Sequence, residues 1–155
     1  MAYSVRLANS EDIDTLVRMR MDYSLELHGS YPESYEARKE STKGYFERHL
    51  NKDCFAAIVE EDGKAVSMGL LTIQEVPPSP ARINGITASM AGIWTYPEYR
   101  RRGYAALTVS LLILKARENG ASYIELSATP KAKPLYESLG FTVRQSDETD
   151  MRYRF

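Results

Sequence analysis

Apolar positions change rhythm several times along this chain, and each change marks an element. Tyr3-Ser4-Val5-Arg6-Leu7 alternates as one face of a strand does. Asn9-Ser10-Glu11-Asp12 then offers a capping side chain followed by acids in a first turn. Ile13, Leu16, Val17 and Leu27 fall near one helical face, which Met19, Met21 and Tyr23 widen. Gly29-Ser30-Tyr31-Pro32 breaks that rhythm, and a more polar helix is predicted over 33–50. Two apolar runs, 55–59 and 65–73, flank Glu60-Glu61-Asp62-Gly63-Lys64, and Asp-Gly in such a spacer signals a hairpin. Val76-Pro77-Pro78-Ser79-Pro80 reads as an exposed loop, because proline supplies no N–H to a central strand. A strand over 88–95 follows, and Gly92 inside it marks a bulge or a close backbone approach. A helix over 103–118 ends at Asn119-Gly120. A strand over 123–126, a short helix over 134–139 and strands over 141–144 and 151–155 complete the chain.

Strands that alternate with helices imply an α/β chain of the α+β type. The 155 residues fit one domain, 1–155. A chain of this size buries roughly 68–70% of its unfolded surface, enough for its own core. One cysteine, Cys54, excludes an internal disulfide and suits a reducing cytoplasm. Polar residues interrupt the first ten positions, so no secretory leader is expected there. The longest apolar run is far too short for a membrane span. Two histidines and one cysteine at unrelated spacings give no metal signature. No Cys/His or Ser/His/Asp arrangement calls for a covalent intermediate.

Charge adds an asymmetry. Residues 1–99 carry 15 acids against 10 bases, and residues 100–155 carry 10 bases against 6 acids. Such acidic walls would concentrate a cationic partner, although solvated faces are the plainer account of the count. The basic part contains Tyr96-Pro97-Glu98-Tyr99-Arg100-Arg101-Arg102-Gly103-Tyr104-Ala105, the join between a strand and an apolar helix. The first N–H groups of a helix have no internal partner, and its dipole favours negative charge there. Gly103 lets an anion approach the main chain, and three arginines add charge to the rim. A phosphate-bearing cofactor is the simplest ligand. Nucleic acid is disfavoured, because residues 1–99 are net acidic. Neither Gly-x-Gly-x-x-Gly nor Gly-x-x-x-x-Gly-Lys-Ser/Thr is present at this join.

Arg100-x-x-Gly103-x-Ala105 resembles the pyrophosphate-binding motif of the GNAT superfamily, the acetyl-CoA-dependent N-acetyltransferases. Pro134-Leu135-Tyr136-Glu137-Ser138-Leu139-Gly140-Phe141 is similar to the Leu-Tyr-Glu-x-x-Gly-Phe segment near the end of those domains. The resemblance implies a mixed, mostly antiparallel sheet of six to seven strands flanked by about four helices. It implies that Arg100, Arg101, Arg102, Gly103, Tyr104, Ala105 and Ala106 hold the pyrophosphate of acetyl-CoA. Ile93, Trp94 and Thr95 would offer main-chain groups to the pantetheine arm, with one N–H facing the thioester oxygen. Thr129 stands where the family often has a cofactor-contacting Asn. Tyr136 matches the family's general acid, and a phenol is protonated at neutral pH and able to donate to a leaving thiolate.

The acceptor would be a primary amine, on a small molecule or a protein. Glu26, His28 and Glu75 are the candidates for a base or for the substrate side. A dimer is common in the family, and a non-catalytic acyl-CoA sensor is the alternative function.

Overall fold

The structure is a computed structural model and describes residues 2–30 and 34–155. The chain runs β1 (Tyr3–Leu7), α1 (Ile13–His28), α2 (Tyr35–His49), β2 (Cys54–Glu61), β3 (Lys64–Glu75), β4 (Ile86–Thr95), α3 (Tyr104–Glu118), β5 (Ile124–Glu125) and α4 (Lys133–Ser138). The sheet follows sequence order, β1-β2-β3-β4-β5. Its first four strands pair antiparallel, and β5 lies parallel to β4.

Local chemistry explains most boundaries. Asn9 caps a 3-10 turn, Ser10–Asp12, with its side chain on the Glu11 N–H, while Asp12 returns a bond from the Asn9 N–H. This reciprocal box launches α1. Gly29, in the left-handed region at φ +75°, stops it. The breaking residues Tyr31 and Pro32 and the expected helix start at Glu33 lie outside the described residues. The β2–β3 hairpin turns at Asp62 and Gly63, both at positive φ, as an Asp-Gly connection of that type requires.

Two layers of core cover the sheet. Leu16, Met19 and Met21 of α1 and Phe46 of α2 pack on one face with Ala56, Ile58 and Met68. Val109, Leu112 and Ala116 of α3 pack on the other, with Ala57, Leu71 and Met90. Leu27 departs from the expected apolar face of α1, since it is 60% exposed.

Among the described residues five strands form instead of the six to seven expected. The segments 141–144 and 151–155 carry no strand ladder. β5 is only two residues long and offers little edge to extend. The last segment also buries no apolar face, with Met151, Tyr153 and Phe155 all exposed. Without such burial nothing fixes a register. Arg144 still reaches Glu125 of β5 through an ion pair at 3.2 Å. No helix among the described residues is long and apolar enough to cross a membrane.

Candidate active site

The site begins with one extra residue in β4. Leu70 pairs with Ala91 and Met68 with Trp94, so one β3 residue, Gly69, faces two on β4, Gly92 and Ile93. This is a β-bulge, and Gly92 supplies its left-handed residue at φ +65°. Beyond Ser89, which pairs with Glu125, β5 no longer follows β4. The divergence opens a cleft of about 890 Å³, bordered by Met90 and Gly92 on β4, Leu126 and Ser127 after β5, and Tyr136. The Tyr96 N–H bonds to the Val66 carbonyl at 3.0 Å. By strand alternation, the main-chain groups of Ile93 and Thr95 therefore turn away from β3, towards the open side. The Trp94 side chain instead packs in the α1–α2 layer.

β4 leads through a short 3-10 turn, Pro97–Tyr99, into a loop with two left-handed residues, Arg101 at φ +66° and Gly103 at φ +81°. No atom lies within 4 Å of where a Gly103 Cβ would sit, so the dihedral and not crowding calls for glycine. The first bond of α3 runs from the Leu107 N–H to the Gly103 carbonyl, at 3.2 Å. Among the described residues, the N–H groups of Arg101, Gly103, Tyr104, Ala105 and Ala106 find no acceptor within the protein. A concave row of unused donors at a helix start is an anion cradle.

The three arginines do not share one task. Arg100 gives its Nε to the Thr95 carbonyl at 2.9 Å and its Nη2 to both oxygens of Glu26, at 2.7 and 2.8 Å. Arg102 holds both oxygens of Glu61, at 2.7 and 2.8 Å, and Tyr104 donates to the same carboxylate at 2.6 Å. Both arginines therefore brace the loop to the body. The Tyr104 hydroxyl and Arg102 hold Glu61 below the usual carboxylate range. Arg101 is exposed and has no ion partner among the described residues.

Tyr136 lies on α4 with its ring edge-on to Phe141, at 5.7 Å and 74°. It is 8% exposed, and its hydroxyl has no hydrogen-bond partner among the described residues. Burial pushes the phenol above its ordinary pKa. Thr129 starts this helix. Its carbonyl accepts from the Ala132 and Lys133 N–H groups at 3.1 and 2.9 Å, and its Oγ1 accepts from Ala132 at 3.2 Å. Pro134 sits in the first turn, where it has no N–H to lose.

The sequence matches the acetyltransferase (GNAT) family over residues 16–141. The chain belongs to that family. A search of curated proteins finds no match. Several solved structures share the fold. A predicted acetyltransferase with acetyl-CoA from Clostridium acetobutylicum superposes with a TM-score of 0.82 at 22% identity, covering 97% of this chain and 96% of that one. A GCN5-related N-acetyltransferase from Ralstonia eutropha JMP134 gives 0.78 at 20% identity, covering 97% and 99%. Glucosamine-6-phosphate N-acetyltransferase from Arabidopsis thaliana gives 0.68 at 17%, covering 97% and 99%.

A second cavity of this GNAT domain, about 690 Å³, lies between α1, α2 and the β3–β4 ribbon. It meets the cleft at Tyr23, Ser89, Ala91 and Gly92, which border both. Of the candidates for a base or for the substrate side, His28 borders this cavity, whereas Glu26 and Glu75 border neither space. Glu26 is held by Arg100 and by the Trp94 indole N–H, which keep its carboxyl below the usual range. Glu75 is exposed at the end of β3.

Sequence reading did not single out Arg20, Tyr23, Arg38 or Ser89, all of which border the second cavity. The available signal was Arg20. It lies four residues after Leu16 and three after Val17, so it shares the inward face of α1 with two core positions. Among the described residues no group of three or more His, Cys, Asp or Glu could hold a metal ion.

Proposed function

We propose that this GNAT domain moves an acetyl group from acetyl-CoA to a primary amine, by direct attack within a ternary complex. One observation carries the reading: β4, which borders the cleft containing Tyr136, leads at its end into a loop and helix start where the N–H groups of Arg101, Gly103, Tyr104, Ala105 and Ala106 are unused among the described residues. The pyrophosphate rests on those donors, with Arg101 at hand. The pantetheine arm lies along the open side of β4, where Ile93 presents main-chain groups and Thr95 its N–H, the Thr95 carbonyl being held by Arg100. Thr129 acts by building the turn that carries Tyr136.

In the reaction the amine nitrogen attacks the thioester carbonyl, and a C–N bond forms. Negative charge gathers on the carbonyl oxygen, where a fixed main-chain N–H of β4 stabilises it. The C–S bond then breaks. The departing thiolate takes the Tyr136 hydroxyl proton, and the nitrogen loses its own proton to water or to a base such as His28. Holding both reactants side by side removes much of the entropic cost of their meeting.

One observation favours the sensor reading: no aspartate or glutamate among the described residues borders the second cavity. Titration calorimetry with acetyl-CoA, desulfo-CoA and ATP tests the cofactor site. Binding of the first two with ATP weak is expected, and no binding of acetyl-CoA by folded protein would overturn the assignment. Release of free thiol with an amine separates enzyme from sensor.

A further inference from the structure

Among the described residues, the charged lining of the cavity between α1, α2 and β4 is cationic. Its charged or titratable lining comprises Arg20, Arg38, His28, Tyr23 and Tyr45, without a carboxylate among the described residues. Three acids of α1 and β2 are used elsewhere: Asp22 accepts from the Tyr96 hydroxyl, and Glu26 and Glu61 hold the two bracing arginines. The charge count allowed a cation-collecting wall, with solvated faces the plainer reading, and the described lining of this cavity carries no acid.

Arg20 is the group that asks for a ligand. Its guanidinium sits 6.0 Å from the centre of the Tyr23 ring. It also lies against the bulge, where a Cβ on Gly92 would be 2.8 Å from its Nη1. Among the described residues it has no hydrogen-bond or ion partner. Burial depresses its pKa, and Arg38 nearby adds repulsion. An arginine nevertheless stays charged. A guanidinium held partly dry beside a second cation is costly until an anion completes the pair.

Resting on the acetyl-transfer reading, we infer that the acceptor is a free amino acid whose α-carboxylate pairs with Arg20. The position of Arg20 sets the spacing. Its Nη1 borders the bulge at which cavity and cleft meet, so the anion it holds lies beside the thioester. An α-amino acid has its amine one carbon from the carboxylate, and that nitrogen then faces the acyl carbon. Met21, Leu27, Phe46 and Leu70 line the same cavity and suit an apolar side chain. A polyamine would meet the Arg20 guanidinium. A peptide N-terminus lacks a carboxylate at this spacing, and a sugar phosphate carries its anion too far from the amine.

The test uses the full chain with acetyl-CoA. Thiol release is measured with L-phenylalanine and L-methionine, with their amides, and with spermidine and glucosamine 6-phosphate. The acids are expected to exceed their amides in kcat/KM by on the order of 10–100-fold, the value of one charge-assisted pair. Arg20→Gln is expected to raise KM for the acid by a similar factor, with Arg20→Lys recovering part. Arg38→Gln supplies a second variant should Arg20 variants fail to fold. Amides as good as acids, or preference for spermidine or glucosamine 6-phosphate by protein that binds acetyl-CoA, would overturn the acceptor class alone. Failure to bind acetyl-CoA would overturn the parent reading and this inference with it.

Discussion

Glu26 on α1 accepts from Arg100 through both of its oxygens, 74 residues away along the chain, and also accepts from the Trp94 indole. One carboxylate thus ties the acceptor-side helix to the loop that opens α3. The ion pair itself is worth only about 0.2–1 kcal/mol, because both side chains are well exposed. The indole contact is half-buried, and leaving that donor unsatisfied costs roughly 1–3 kcal/mol.

Glu26→Ala should therefore destabilise more than Glu26→Gln, which keeps a carbonyl acceptor for Trp94. Denaturant unfolding of the two variants measures the difference. The pH dependence has a definite sign. The folded carboxyl titrates below its unfolded value, so its contribution is complete above about pH 4.3 and disappears as pH falls through the folded value. The advantage of the native chain over Glu26→Gln should shrink on acidification, and a constant gap would show that charge is irrelevant there.

Gly103→Val should abolish acetyl-CoA binding in protein that remains folded. Valine at φ +81° costs roughly 1–2 kcal/mol in backbone strain. Calorimetry reads the loss, and circular dichroism confirms the fold. Ordinary affinity in the variant would remove the loop from the cofactor site.

Tyr136→Phe should lower kcat by roughly 10²–10⁴-fold, the usual worth of a positioned acid, with little change in acetyl-CoA affinity. Burial raises the phenol pKa, so the alkaline fall in native kcat should lie above about pH 10. That limb should vanish in the variant. An unchanged kcat would dismiss Tyr136 as the proton donor.

Gly69 stands opposite the bulge. A Cβ there would lie 2.4 Å from Ile93 Cδ1 and 2.6 Å from Thr108 Cγ2. Gly69→Ala should cost about 1–3 kcal/mol by overpacking, visible as a lowered Tm. Relief requires Ile93 to move, and Ile93 borders the path proposed for the pantetheine arm. Acetyl-CoA affinity should weaken in the same variant.

What could be read from sequence was local. The turn at Asp62-Gly63, the bulge at Gly92 and the loop from Arg100 to Ala106 each depend on residues adjacent in the chain. The fates of Arg100 and Arg102 were hidden, because Glu26 and Glu61 are their neighbours only after folding. Arg20 was hidden for a similar reason: it sits among apolar helix positions, and its meaning depends on which strand faces it. Leu27 fitted the core periodicity of α1 but is largely exposed near the end of that helix, where it borders a cavity. The strands expected over 141–144 and 151–155 have the right residue types. Strand pairing needs an edge as well, and β5 supplies two residues.

The inserted residue in β4 also changes the phase of the strand. Ala88 and Met90 point into the α3 layer, and an unbroken alternation would send Trp94 there too. With Gly92 in place, Ile93 joins the α3 layer and Trp94 crosses to the α1 layer, where its indole meets Glu26. A sheet made regular by deleting Gly92 would gain a continuous ladder. It would leave Ile93 and Trp94 in their present layers, because one residue fewer restores the same alternation, but it would remove the left-handed bulge and close the edge along which the pantetheine arm is proposed to lie. The strand is therefore a place where greater stability and activity cannot be selected together.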